Sequence, residues 1–167
     1  FRVAGFLSKD ETIYKEVTDG FDVHSYTASV MGVSRQEAKS HTFKPLYGGI
    51  LGTDKQMRYY SAFKEKYSGI TQWHEDLQNE AVSTKKVVLP SGREYAFKFA
   101  KFTSRGTATN ATAIKNYPVQ GFATADLLPL ALIKLHKRLR ELNKQGVQSL
   151  LINTVHDSLV MDVHPQE

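Results

Sequence analysis

Apolar positions along the chain recur mainly at three-to-four-residue spacing, which predicts a largely helical protein. Residues 1–7, Phe-Arg-Val-Ala-Gly-Phe-Leu, read as a strand or as the start of a buried helix. Asp10 and Glu11 open a helical stretch that Asp19-Gly20 breaks. A short helix is expected over 23–31, ended by Gly32. The next has a marked start. Ser34 and Glu37 have the spacing of a capping box, in which each side chain satisfies a free backbone N–H at the helix end. This helix is expected to run to Tyr47, with Pro45 loosening its last turn and Gly48-Gly49 ending it. Met57, Tyr60, Phe63 and Tyr67 predict a further helix, broken at Ser68-Gly69, and Ile70, Trp73, Leu77 and Ala81 predict one more.

The period then changes to two. Residues 85–89 and 93–99 flank Pro90-Ser91-Gly92 and read as a hairpin, with Tyr95, Phe97 and Phe99 along one face. A long helix is expected over 123–143, kinked at Pro129, and Gly146 lies beyond its end. Residues 150–155, then His156-Asp157, then 159–163 read as strand, tight turn, strand. Helices followed by strands suggest a mixed α/β or α+β arrangement. There is no internal repeat and no low-complexity segment.

The 167 residues are about one ordinary domain, and 41% hydrophobic content suffices for a core. No apolar run is long enough to span a membrane, and no secretory leader opens the chain. With no cysteine, disulfides and thiolate metal sites are excluded, which fits a reducing compartment. The net charge of +5, from 22 Lys+Arg against 17 Asp+Glu, suits a polyanionic partner without specifying one. Both ends read as cut from a longer chain, since Phe1 begins inside an apolar segment and the last strand stops soon after Val163.

Four groups of residues carry candidate chemistry. Arg35, Lys39, Phe43 and Tyr47 are four apart and form a slowly drifting stripe on one helix, about 12 Å long from Arg35 to Phe43. Cations followed by aromatics suit a triphosphate, then a sugar and base. On spacing alone the better reading is blander: an exposed charged turn leading into a buried aromatic pair. His156-Asp157 sits at a hairpin tip, a rigid and reachable place for a Mg²⁺ carboxylate, although Asp is also an ordinary turn residue. Residues 85–105 hold Lys85, Lys86, Arg93, Lys98, Lys101 and Arg105 against Glu94 alone, interleaved with aromatics. Such a hairpin can follow a phosphate backbone, or simply be a solvated amphipathic one. Asn116 and Gln120 offer amides suited to minor-groove acceptors, or to capping a turn around Pro118.

Taken in order, these segments resemble family A (DNA polymerase I-like) DNA polymerases. Arg35-x3-Lys39-x3-Phe43-x3-Tyr47-Gly48 resembles the fingers helix of that family, and Thr154-Val155-His156-Asp157 its palm motif with a catalytic aspartate. Asn116-x3-Gln120-Gly121 resembles its minor-groove element. Asp22-Val23-His24 with Thr27-Ala28 resembles a segment whose His lies near the incoming triphosphate. Residues 2–11 resemble the sequence that follows the first palm motif, so the likeness covers essentially the whole chain.

The resemblance implies an α+β fold: part of a right-hand polymerase, with helical fingers and part of an antiparallel palm sheet. Residues 1–17 would be a palm-edge segment, 18–108 the fingers with the basic hairpin, and 109–167 a palm segment with the His-Asp hairpin. The implied activity is template-directed transfer of dNMP to a primer 3′-OH, with primer–template DNA and dNTP as partners and two Mg²⁺ ions as cofactor. Arg35, Lys39 and His24 would hold the nucleotide phosphates, and Lys39 would also give a proton to the leaving pyrophosphate. Phe43 would pack on sugar and base, and Tyr47 would lie by the templating base. Asn116, Gln120 and His156 would touch the primer end or minor groove, and Asp157 would hold metal. The other metal-binding aspartate is expected upstream of Phe1, so the isolated chain is expected not to polymerise. Ser158 stands where many members have Glu, Thr112 where an Arg often stands, and Lys44-Pro45 is unusual in this helix. No membrane association is implied, a processivity partner stays unspecified, and the implied place is the cytoplasm of a bacterium or phage-infected host. The rival readings are a single-subunit phage-type RNA polymerase and a noncatalytic nucleic-acid-binding module. Phe43, Asn116-x3-Gln120 and Asp22-Val23-His24 favour the DNA enzyme over the former.

Overall fold

The computed structural model describes residues 1–155 and 158–165. The chain divides into two compact units, residues 1–119 and 120–167. The first contains helices α1 (Arg2–Ser8), α2 (Glu11–Thr18), α3 (Val23–Met31), α4 (Arg35–Leu46), α5 (Asp54–Lys66) and α6 (Ser68–Thr84). It then forms strands β1 (Lys86–Val88) and β2 (Glu94–Ala96) and enters α7 (Ala111–Gly121), which ends in the second unit. There follow a π-helical segment (Phe122–Leu127), α8 (Leu128–Asn143), and strands β3 (Leu150–Val155) and β4 (Ser158–Asp162). The expected α+β content is present.

Local side-chain caps set the starts of α2 to α5. Asp10 accepts the Ile13 N–H at 3.0 Å and so caps α2. Its second oxygen accepts the Ile70 N–H at 3.3 Å, near the start of α6. Ser34 and Glu37 form the expected capping box on α4, and Thr53 and Gln56 form a second one on α5. Gly32 closes α3 at φ 69°, a left-handed conformation that Gly adopts without Cβ strain. The break between α5 and α6 falls at Tyr67, with φ −109° and ψ 60°, and Ser68-Gly69 already belongs to α6.

Two apolar clusters hold the first unit. One gathers Ile13, Leu46, Tyr59, Tyr60, Phe63 and Tyr67 among α2, α4 and α5, with the Phe63 and Tyr67 rings edge to face at 4.6 Å. The other packs Leu77 and Ala81 of α6 against Val87, Phe97 and Ile114. Trp73 touches both clusters. β1 and β2 pair antiparallel, Val87 opposite Tyr95. Phe97 is buried, but Phe99 lies past the end of β2 and is 88% exposed, so the expected aromatic face stops one residue pair early.

Two differences from the sequence reading concern prolines. Residues 111–121, read as turn-like around Pro118, form α7, and Pro118 is buried inside it. The expected continuous helix over 123–143 is instead a wide π turn followed by α8. The backbone stays helical through Leu127 and Leu128 into α8, and the π turn lies directly before Pro129, which has no N–H to give the preceding turn. In the second unit β3 and β4 pair antiparallel, Val155 opposite Ser158 and Leu150 opposite Asp162, with an irregularity between Leu151 and Asn153. His156 and Asp157, which join them, lie outside the described residues.

Candidate functional site

Arg35, Lys39 and Phe43 of α4, Tyr47 just past its end, and His24 of α3 lie on one side of the first unit. Asp22 starts this arrangement. It caps α3 by accepting the His24 and Ser25 N–H groups, and its other oxygen accepts from Arg35 Nε at 2.8 Å. The guanidinium and the neighbouring hydrogen bonds hold the Asp22 carboxyl well below the usual carboxylate range. Arg35 is thereby pre-aimed across the gap between α3 and α4. His24, two residues on, is half-buried. Its ring meets Phe43 edge to face at 5.4 Å, and Phe43 stacks on Tyr47 at 6.4 Å and 28°. Burial first, and then the charge of Arg35, lower the His24 pKa below its ordinary value, with Lys39 adding to them and Asp22 opposing them. Phe43 remains 38% exposed. Half-buried Tyr47 has its phenol pKa raised by burial.

The face therefore offers Arg35, Lys39 and His24, then two aromatic planes. Such a surface suits an anion carrying a ring: charge-assisted hydrogen bonds at one end and stacking at the other. His24 and Arg35 open into a cleft of about 530 Å³ that Phe1, Phe21 and Asp22 also line.

Sequence reasoning overlooked what lies beneath. Thr27 and Thr42 are wholly buried, and their hydroxyls link Tyr59 to Nδ1 of His24. A threonine in mid-helix carries no sequence signal for this, because the partners lie 15 to 32 residues away. A second overlooked group is Lys64, His74 and Lys115, which line a cleft of about 130 Å³ beside Pro45 and Gly48. His74 is 6% exposed. Burial, then Lys115 and Lys64, push its pKa down to about 3. Burial and the neighbouring Lys64 likewise lower the Lys115 pKa.

Asn116 and Gln120 are on α7. Asn116 Oδ1 is buried with no hydrogen-bond partner among the described residues, while Gln120 is exposed. On the basic hairpin Lys86 pairs with Glu94 at 2.5 Å, and Lys85 donates to the Val82 and Ala100 carbonyls. Lys98, Lys101 and Arg105 stay exposed. No group of three or more His, Asp or Glu that could hold a metal occurs among the described residues, and Asp157 and His156 lie outside them. No helix among the described residues is long and apolar enough to cross a membrane.

The profile of DNA polymerase family A matches residues 1–167. DNA polymerase I of Lactococcus lactis subsp. cremoris is 33% identical over 189 residues, covering 99% of this chain and 21% of that protein. The thermostable DNA polymerase I of Thermus thermophilus is 34% identical over 181 residues, covering 96% of this chain and 21% of its own length. The chain thus spans about a fifth of the relatives it matches. Among solved structures, the POL domain of Pol1 from M. smegmatis in complex with DNA primer-template and dNTP superposes with a TM-score of 0.77 at 21% identity. That match covers 98% of this chain and 32% of that one, and shows a shared fold.

Proposed function

Because the chain belongs to DNA polymerase family A, we propose that it forms the nucleotide-selecting part of a template-directed DNA polymerase, which adds dNMP to a primer 3′-OH. The observation that carries this reading is the single face on which His24, Arg35, Phe43 and Tyr47 meet. The relatives are DNA polymerases, and the M. smegmatis structure holds primer-template and dNTP, so the same partners are proposed here. Residues 18–108 would be the fingers, 1–17 a palm edge, and 109–167 a palm segment.

Each side chain then has a part. Arg35, released from or shared with Asp22, and His24 bind the phosphates. Lys39 meets the charge that grows on the departing pyrophosphate and gives it a proton, so it acts more strongly in the transition state than in the ground state. Phe43 packs on sugar and base, and Tyr47 flanks the templating base. Asn116, Gln120 and His156 contact the primer end and the minor groove, whose acceptors every base pair offers in similar positions.

Family A DNA polymerases use divalent metal ions. We propose two Mg²⁺ ions, which when bound supply charge neutralisation at the transferred phosphoryl group. The described residues alone do not fit them, since they contain no metal-ligating group. Asp157 is the proposed ligand within this chain, and a second carboxylate is proposed from outside the described residues.

Lys39→Ala in the full-length protein tests the reading. The expected outcome is a single-turnover incorporation rate lower by roughly a hundredfold or more, as for loss of one transition-state donor, together with weaker dNTP binding. No change in either would remove α4 from the chemistry. Comparing dNTP with rNTP in the same assay separates this reading from an RNA polymerase, since preference for rNTP contradicts it.

A further inference from the structure

The buried junction of α3, α4 and α5 holds four groups whose protons can be counted. Tyr59 Oη lies 2.6 Å from Thr27 Oγ1. Thr27 Oγ1 lies 2.7 Å from the Val23 carbonyl oxygen and 3.0 Å from Thr42 Oγ1. Thr42 Oγ1 in turn lies 3.1 Å from His24 Nδ1. Both threonines have 0% exposure, so bulk water does not reach them.

Each hydroxyl has one proton to donate. With the His24 proton on Nδ1, that N–H donates to Thr42, Thr42 donates to Thr27, Tyr59 donates to Thr27, and Thr27 donates to the Val23 carbonyl. Four protons then make four hydrogen bonds, and no hydroxyl proton is left over. With the proton on Nε2, Nδ1 can only accept. The junction has then three protons and at most three bonds. Thr42 also lies 3.0 Å from the Ala38 carbonyl, a second acceptor for the same single proton, so the count of protons is unchanged. In a buried junction the arrangement with one more hydrogen bond is favoured.

From this count we infer that Thr42, itself held by Thr27 and Tyr59, is a positioning residue that fixes the His24 proton on Nδ1 and leaves Nε2 as the ring nitrogen that meets a phosphate. This rests on the proposal that His24 binds nucleotide phosphate. A phosphate oxygen accepts, so Nε2 takes up a proton as the anion arrives. The imidazolium then donates twice, to Thr42 and to the phosphate. The charged groups acting on the ring are Arg35, Asp22, the Phe1 amino group and Lys39, and of these only Asp22 favours the imidazolium before an anion arrives.

The test uses full-length protein labelled with ¹⁵N-histidine. Long-range ¹⁵N–¹H spectra without nucleotide are expected to show His24 protonated on Nδ1. A proton on Nε2 overturns the inference whatever His24 binds. In primer extension, Thr42→Val is expected to raise KM for dNTP roughly fivefold, the weight of one hydrogen bond, with kcat moving less. It is also expected to shift the His24 proton towards Nε2, while Thr42→Ser keeps both near wild type. A Thr42→Val protein with unchanged KM and tautomer overturns the inference. If the valine variant does not fold, the wild-type spectrum and Thr42→Ser still decide. His24→Ala with unaltered KM, alongside an Nδ1-protonated wild type, sinks only the nucleotide reading and leaves the proton count standing.

Discussion

At Asp10 one 3%-exposed carboxylate serves two helices, capping α2 through Ile13 and holding the start of α6 through Ile70. Asp10→Ala strips the Ile13 N–H of its acceptor in a place water barely reaches, and leaves the Ile70 N–H with the Tyr67 carbonyl at 3.2 Å alone. One lost cap typically costs about 1 kcal/mol, and a buried unsatisfied N–H adds to it. The expected loss is therefore roughly 2 kcal/mol or more, read from denaturant unfolding, with Asp10→Asn losing less. The sequence signalled Asp10 as a helix start, because its Asn/Asp-type cap chemistry is local. It did not signal the second bond, 60 residues away. The same divide runs through the candidate site. Ser34 and Glu37 were legible because partners three residues apart along one helix are fixed by its geometry. Thr42 was not, because its partners come from other helices.

Elements meet where side chains are small. Gly5 on α1 faces Ile13 of α2 so closely that a Cβ there would overlap the Ile13 side chain. Helix propensity alone favours Gly5→Ala by about 1 kcal/mol. Overpacking against a residue that is 1% exposed costs about 1–3 kcal/mol. Overpacking is expected to win, because the clash is with Ile13 Cγ2 and Cβ, and Gly5→Ala should lower the thermal midpoint. A gain in stability would show that the two helices slide apart freely. This close approach also explains why residues 1–7 left strand and helix both open: seven mostly apolar residues in tight contact carry little period. α7 was missed for another reason. Pro118 is a strong local breaker, and only burial of Ile114, Pro118 and Val119 sustains a helix through it. The exposed Phe99 marks the opposite failure, an alternating pattern that outlasts its strand.

For the whole molecule, His74 ties stability to pH. Its pKa falls from 6.5 to about 3 on folding, mainly through burial. Between those values the unfolded chain binds a proton that the folded chain refuses. Stability from this group is thus complete above pH 6.5 and is lost as pH falls towards 3. The slope is at most about 1.4 kcal/mol per pH unit for one proton. His74→Leu is expected to flatten the acid limb of a stability–pH curve by up to one proton, and an unchanged limb would show that His74 keeps its charge when folded. The nearby Lys64 and Lys115 add to this pressure and sit beside Gly48, just past Tyr47, so acid conditions stress the unit that carries the candidate face.

The most direct measurement of the account concerns Asp157. Full-length protein and its Asp157→Ala variant are compared in single-turnover primer extension with dNTP and Mg²⁺, with primer–template binding measured in parallel. Wild type is expected to add the template-complementary dNMP, and the variant to lose incorporation nearly completely while still binding the DNA. A variant that extends primers at the wild-type rate would contradict the assignment of this chain to the catalytic centre of a DNA polymerase.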